Sequence, residues 1–168
     1  DETDFYLEDQ TIYGSSREGV INRNLLLNSA TVPTTEFKNK IGDKQYQLSN
    51  HLGNVLTTIS DVKVPVQSGG TITGYTAKIL SATDYSSFGA PTPSNDRNWS
   101  NSGYRYGFNG MEKDDEMKGN GNSYDFGARI LDPRLGRWLS IDPLHSQTPF
   151  HSPYSSNGNN PILFIDKD

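Results

Sequence analysis

Turn-forming residues never let this chain run far in one direction. Strand-like runs of five to eleven residues alternate with clusters of Gly, Pro, Asn and Ser. The runs are FYLED (5–9), TIYGSS (11–16), VINRNLLL (20–27), KQYQLSN (44–50), GNVLTTISD (53–61), YTAKILSATDY (75–85), YRYGFNG (104–110), SYDFGARILD (123–132), GRWLSID (136–142) and PILFID (161–166). VLTTIS carries the clearest β signal, being rich in β-branched side chains that fit a pleated surface. NSATVPTTE, VPVQSGGTITG, GAPTPSNDRNWSNSG and LHSQTPFHSPYSSNGNN have the composition of loops. GMEKDDEMKG (110–119) has room for one helical turn, kept short by a Gly at each end. This pattern predicts a mainly β chain of antiparallel hairpins. Tyr recurs beside Gly in IYGSSREG, DYSSFGA, YRYGFNG and YDFGAR at irregular spacing, which suits either a curled sheet or solenoid or a set of ordinary hairpins.

A hydrophobic fraction of 32% and a mean hydropathy of −0.70 allow a modest core, part of whose apolar face would need a neighbouring segment. The 11% aromatic content is that of a folded chain, not a disordered tail. The opening DETDFYLEDQ, without Met, and the ending LFIDKD read as a piece of something larger. A net charge of −5 without any basic block argues against nucleic acid as the main partner, because phosphate binding needs clustered Lys or Arg. No apolar run approaches the roughly 18 residues of a membrane span. The absence of Cys excludes disulfides and thiolate zinc sites and leaves the compartment open.

Residues 128–144, ARILDPRLGRWLSIDPL, crowd two Asp-Pro pairs, three arginines and a tryptophan together. Asp-Pro marks bends, because Asp bonds its own backbone and Pro presets the next dihedral. Alternatively, Asp132 or Asp142 does chemistry. Trp138, Tyr124, Phe126, Phe108 and Ile130 read as core, and Arg137 as a structural ion-pair partner. Asn159 and Asn160 in NGNNP favour a turn. His51, His145 and His151 lack a carboxylate at ligand spacing, so no metal is expected. MEKDDEMKGNGN (111–122) lacks the order of a calcium loop and reads as a solvated acidic turn. No cofactor is called for.

YQLSNHLGNVLTTISD (46–61), DYSSFG (84–89), YRYGFNGMEKDDEMKGNGNSYDFGARILDPRLGRWLSIDPL (104–144) and SPYSSNGNNPILFIDKD (152–168), in that order, resemble the Rhs/YD-repeat-associated core domain in its Bacteroidota-like form. That family includes polymorphic toxins and Tc-toxin C-component shells. IYGSSREG (12–19) resembles the YD-type segment that precedes the core, which places a YD-type β segment at 1–43 and the core at 44–168. The resemblance implies that YD repeats wind into a β spiral closing a hollow shell, with the core as an irregular plug at its C-terminal end. A downstream toxin would be held inside, and in many members the core cuts the chain after its last motif as an aspartate-type autoprotease. Its partners would be the rest of its own shell, the downstream toxin and secretion machinery, and its location secreted or cell-surface.

Hydrolysis by carboxylates needs two of them together, one ionised to activate water and one protonated to donate. Asp132 matches the family's first Asp-Pro block, Asp142 the first Asp of the paired cleavage motif, and Asp166 the second. Asp142 and Asp166 stand 24 positions apart, joined by a loop able to bring them side by side, and are the expected catalytic pair. Arg129 resembles the family arginine before the Asp-Pro and would hold a carboxylate ionised or stabilise an oxyanion. Lys167 departs from the family by replacing the Pro that follows the second Asp. The expected function is therefore self-cleavage that releases a caged toxin. The alternatives are a non-catalytic structural or cell-surface module whose aspartates only shape turns, and cargo of a secretion machine.

Overall fold

The structure, a computed structural model, describes residues 4–27, 39–93, 97–100 and 103–164. It is mainly β, built of antiparallel strands, and divides into two compact units, Asp1–Leu48 with Thr58–Leu80, and Ser49–Thr57 with Ser81–Asp168.

In the first unit, β1 (Tyr6–Tyr13) and β2 (Arg17–Leu26) form an antiparallel hairpin whose register runs from Tyr6 opposite Leu26 to Ile12 opposite Gly19. A bulge lies between Leu7 and Asp9. Next come β3 (Lys44–Ser49), β4 (Val55–Ser68) and β5 (Thr71–Thr83), so that hydrogen-bonded neighbours follow chain order. Sequential pairing of this kind needs only short connections between strands. Val20, Ile21 and Leu25 of β2 are buried, and Thr58 and Ser60 of β4 are buried with them.

VPVQSGGTITG, read from composition as a loop, is instead the tip of the β4–β5 hairpin. Gly69 and Gly70 form its two-residue turn, both with positive φ (58° and 81°), the geometry whose twist matches paired strands. Pro65 and the glycines signalled a loop, but Pro65 lies within β4 and the glycines make a tight reversal. NSATVPTTE lies outside the described residues.

The second unit begins with the NHLGN turn. Asn50 Oδ1 accepts from the Leu52 and Asn54 amides, both at 3.0 Å. Asn54 Oδ1 in turn accepts from the Asn109 amide at 2.8 Å, which ties this turn to the YGFNG segment. The beginning of β4 and the end of β5 belong here, with β6 (Asn98–Ser100) paired antiparallel to β5, so part of GAPTPSNDRNWSNSG is also strand. A four-stranded sheet in the order β10-β9-β8-β7 follows, from β7 (Glu112–Lys113), β8 (Tyr124–Asp125), β9 (Ile130–Asp132) and β10 (Arg137–Trp138). The helical turn expected within 110–119 is α1 (Asp115–Lys118).

Phe108, Tyr124, Phe126, Leu131 and Trp138 form the core of this unit, with Tyr85 and Met111 packed against it. Ile130, expected in the core, is only half-buried, because alternation along β9 turns Leu131 inward instead. Phe126 meets Trp138 edge to face at 5.0 Å. Tyr85 of the DYSSFG block donates from its hydroxyl to the Val55 carbonyl at 2.9 Å. YRYGFNG, expected as a strand, keeps one bridge at Tyr106 and then coils into a 3-10 turn over Phe108–Gly110, where Asn109 and Gly110 have positive φ. PILFID is not extended over its described part. The Leu163 and Phe164 amides both donate to the Asn160 carbonyl and close a turn, with Ile162 and Leu163 each 68% exposed.

Candidate functional site

The two Asp-Pro pairs flank β10. The first closes the β9–β10 hairpin. Asp132 Oδ1 accepts from the Arg134 amide at 3.1 Å, and the Leu135 amide donates to the Asp132 carbonyl at 3.2 Å. Gly136 completes the reversal with φ 61°, and a side chain there would lie 2.8 Å from the Phe88 ring. The Asp132 carboxylate is 2% exposed. Arg134 forks onto both its oxygens at 3.2 and 3.0 Å, and Lys118 of α1 donates to Oδ2 at 2.9 Å. Burial alone would push this carboxyl up, but hydrogen bonds and charge from Arg134 and Lys118 outweigh it and hold the group down at about 2. It is a charged anchor that pins α1 to the hairpin.

The second Asp-Pro follows β10. The Asp142 amide donates to the Pro153 carbonyl at 2.9 Å and the Trp138 amide to the Tyr154 carbonyl at 3.0 Å, so the later loop runs back beside this segment. Asp142 Oδ1 accepts from the Leu144 amide at 2.8 Å, and the His145 amide donates to the Asp142 carbonyl at 3.1 Å. Asp142 Oδ2 accepts from Arg129 at 2.7 Å. The guanidinium carbon of Arg129 sits 4.2 Å from the centre of the Trp138 ring, a cation–π contact that orients it. Both carboxylate oxygens of Asp142 thus accept, one from the backbone and one from Arg129.

Arg129, Trp138 and Asp142 line a cavity of about 400 Å³ whose wall also includes His145, His151 and Phe164. Of the residues expected to act together, Arg129 and Asp142 meet here. Asp132 is held apart by Lys118 and Arg134, and Asp166 lies outside the described residues. Arg137, expected in an ion pair, donates instead to the neutral Oδ1 of Asn159. Its strand bridges Ser155, which brings the NGNNP turn, rather than a carboxylate, within its reach.

The sequence reading missed Lys118, hidden in a segment read as a solvated acidic turn, and Arg134, whose place two residues after Asp132 is a usable signal. It also missed His145, weighed only as a metal ligand. Its Nδ1 lies 2.9 Å from the Asp142 carbonyl. Among the described residues, no group of three or more His, Asp or Glu side chains is placed to hold a metal ion. No helix among them is long and apolar enough to cross a membrane.

No protein-family model matches the chain. A stretch of 61 residues, 36% of this chain, is 36% identical to Salivary gland surface protein 1 of Aedes aegypti, of which it spans 2%. Among solved structures, the chain resembles TcdB2-TccC3 with a TM-score of 0.59 at 18% identity, covering 95% of this chain and 6% of that one. It also resembles TcdB2-TccC3-TEV with a TM-score of 0.58, again at 18% identity, covering 94% of this chain and 6% of that one. The chain thus spans a small fraction of each relative. At this identity the likeness is one of fold, and the fold is Tc/Rhs-like, mainly β and open.

Proposed function

We propose that the chain is the C-terminal core of a secreted Rhs/YD-repeat shell protein of the Bacteroidota-like form. In this reading residues 1–43 continue the YD-type sheet and residues 44–168 cap the shell. The partners are the remaining shell, a toxin held downstream, and secretion machinery. The core then detaches the toxin by one aspartate-dependent self-cleavage near Asp166.

The observation that carries this reading is the Arg129–Asp142 pair on a cavity wall to which Phe164 also contributes. Asp166 follows Phe164 by two residues, a span of at most about 7 Å of chain. In this reading Asp166 supplies the second carboxyl. Asp142 is the charged member that orients water, and Asp166 is the protonated member that donates to the scissile carbonyl oxygen. Because the bond to be cut is part of the same chain, proximity replaces substrate-binding energy.

The test is the full-length natural chain run on a denaturing gel. Wild type gives two fragments, whereas Asp142→Asn and Asp166→Asn each give one full-length band. A single wild-type band under folding conditions rejects cleavage.

A second reading is favoured by one observation: Asp132 and Asp142 each already have a turn to shape. Asp132 and Asp142 each accept a backbone amide two residues on. In that reading the chain is a non-catalytic structural or cell-surface module, and the same gel decides between the two.

A further inference from the structure

A second cavity lies inside the second unit and shares no lining residue with the cavity at Asp142. Strands of both sheets contribute to its wall: Ser81 of β5, Asn98 of β6, Lys113 of β7 and Tyr124 of β8. Its volume is about 20 Å³. A space of about 10–15 Å³ admits one water, so the size suits water rather than a substrate.

Two donors on this wall lack an acceptor. Tyr124 is fully buried, and its hydroxyl makes no hydrogen bond among the described residues. Burial pushes this phenol well above its usual range, so it keeps its proton. Lys113 is half-buried, and among the described residues nothing accepts a hydrogen bond from its ammonium. Burial pushes that ammonium down from its ordinary value, and the charge of Asp115 opposes this only in part. Tyr85, on the same wall, is different: its hydroxyl already donates to the Val55 carbonyl at 2.9 Å.

Gly107 lets the two donors approach each other. A Cβ there would lie 2.8 Å from the Tyr124 ring and 3.4 Å from Lys113 Cγ, so a side chain would force them apart. A buried hydroxyl without a partner carries its full desolvation cost, and folded chains meet such groups with protein or with ordered water.

We propose that this cavity holds one structural water, which accepts from the Tyr124 hydroxyl and the Lys113 ammonium and donates to oxygens of Ser81 and Asn98. A water has two lone pairs and two protons, so it serves two donors and two acceptors at once. A halide of similar size serves the donors alone. The water ties β8, in the aromatic core, to β5 and β6, which are not its neighbours in the order of either sheet. It uses neither Asp142 nor a cleavable bond, so it holds whether or not the chain cuts itself.

Two measurements on the full-length natural chain test it. A crystal structure should show one ordered water about 2.7–3.2 Å from both Tyr124 Oη and Lys113 Nζ. A well-ordered cavity without that density overturns the proposal, and an anomalous peak there after exchange into bromide replaces the water with an anion. Chemical denaturation reads the energetic side. Tyr124→Phe keeps the ring and deletes the hydroxyl, and it should lower the denaturation midpoint. A midpoint that stays or rises means that the hydroxyl had nothing to bind, and the water is rejected. Lys113→Met keeps the stem and removes the charge. Because both side chains hold one water, the double variant should shift the midpoint by less than the sum of the single shifts. Additive shifts would rule out a shared bridge.

Discussion

The two Asp-Pro turns on either side of β10 begin from the same dipeptide and end in different chemistry. At the β9–β10 hairpin, Asp132 is buried and accepts from one backbone amide and from three side-chain donors on two cations. After β10, Asp142 has a 31% exposed side chain, one amide and one arginine, and it faces a cavity. Turn-making is common to both and is local, since each carboxylate caps an amide two residues on. What separates them is what remains of the carboxylate after that amide is satisfied. Lys118 and Arg134 use up Asp132, whereas Asp142 keeps lone pairs towards open space. A buried, saturated carboxylate is an anchor. A partly exposed one beside an oriented guanidinium is available to bind or react.

The contrast breaks most completely at Trp138, which supports both turns. It is 3% exposed, packs on Phe126 and carries Arg129 on its ring face. Trp138→Ala should cost about 3–5 kcal/mol, as large-to-small core changes do. Chemical denaturation measures that loss, and a cost below about 1 kcal/mol would show that the aromatic core does not hold this sheet.

Gly136→Ala tests the first turn alone. A left-handed φ and a methyl placed 2.8 Å from the Phe88 ring should together cost about 1–3 kcal/mol. A variant as stable as wild type would mean that the hairpin can relax away from Phe88.

Asp132 sharpens the comparison through acid titration. Its carboxyl is held at about 2 in the fold, against an ordinary value of 3.8. A depressed carboxyl contributes stability that is present above pH 4 and is lost as pH falls from about 4 to 2. Arg134 is half-exposed, so solvent screening reduces the contribution to about 1–2 kcal/mol. Asp132→Asn should remove that acid-dependent part, and the slope of stability against pH between about 2 and 4 checks it.

Asp142→Ala has the smallest expected effect on stability, about 1 kcal/mol, because Asp142 is partly exposed and Arg129 keeps its place over the Trp138 ring. The same substitution should abolish cleavage. A stability loss as large as that of Trp138→Ala would make Asp142 the anchor and erase the difference between the two turns.

Much of the architecture was readable because its causes are local. β-branched runs between turn residues predict hairpins, and Phe108, Tyr124, Phe126 and Trp138 stood out as core by size and apolarity. Errors fell where local signals carried two meanings. Gly69–Gly70 looked like the middle of a loop and is a hairpin tip, while PILF looked like a strand and closes on Asn160. A run of strand-like side chains becomes a strand only if another strand lies beside it to share hydrogen bonds.

Sequence alone therefore determined a mainly β chain, the bends at Asp132 and Asp142, and the aromatic set that fills the second unit. Only the tertiary structure decided which charge answers which. Arg129 stands three residues before Asp132 yet pairs with Asp142, thirteen residues away, while Lys118 reaches Asp132 from fourteen residues upstream. It likewise brought Asn54 onto the Asn109 amide across fifty-five positions. The reason is physical. Turns and strand preferences follow from neighbouring dihedrals and side chains. A buried polar group instead needs whichever distant partner the packed chain leaves within about 3 Å.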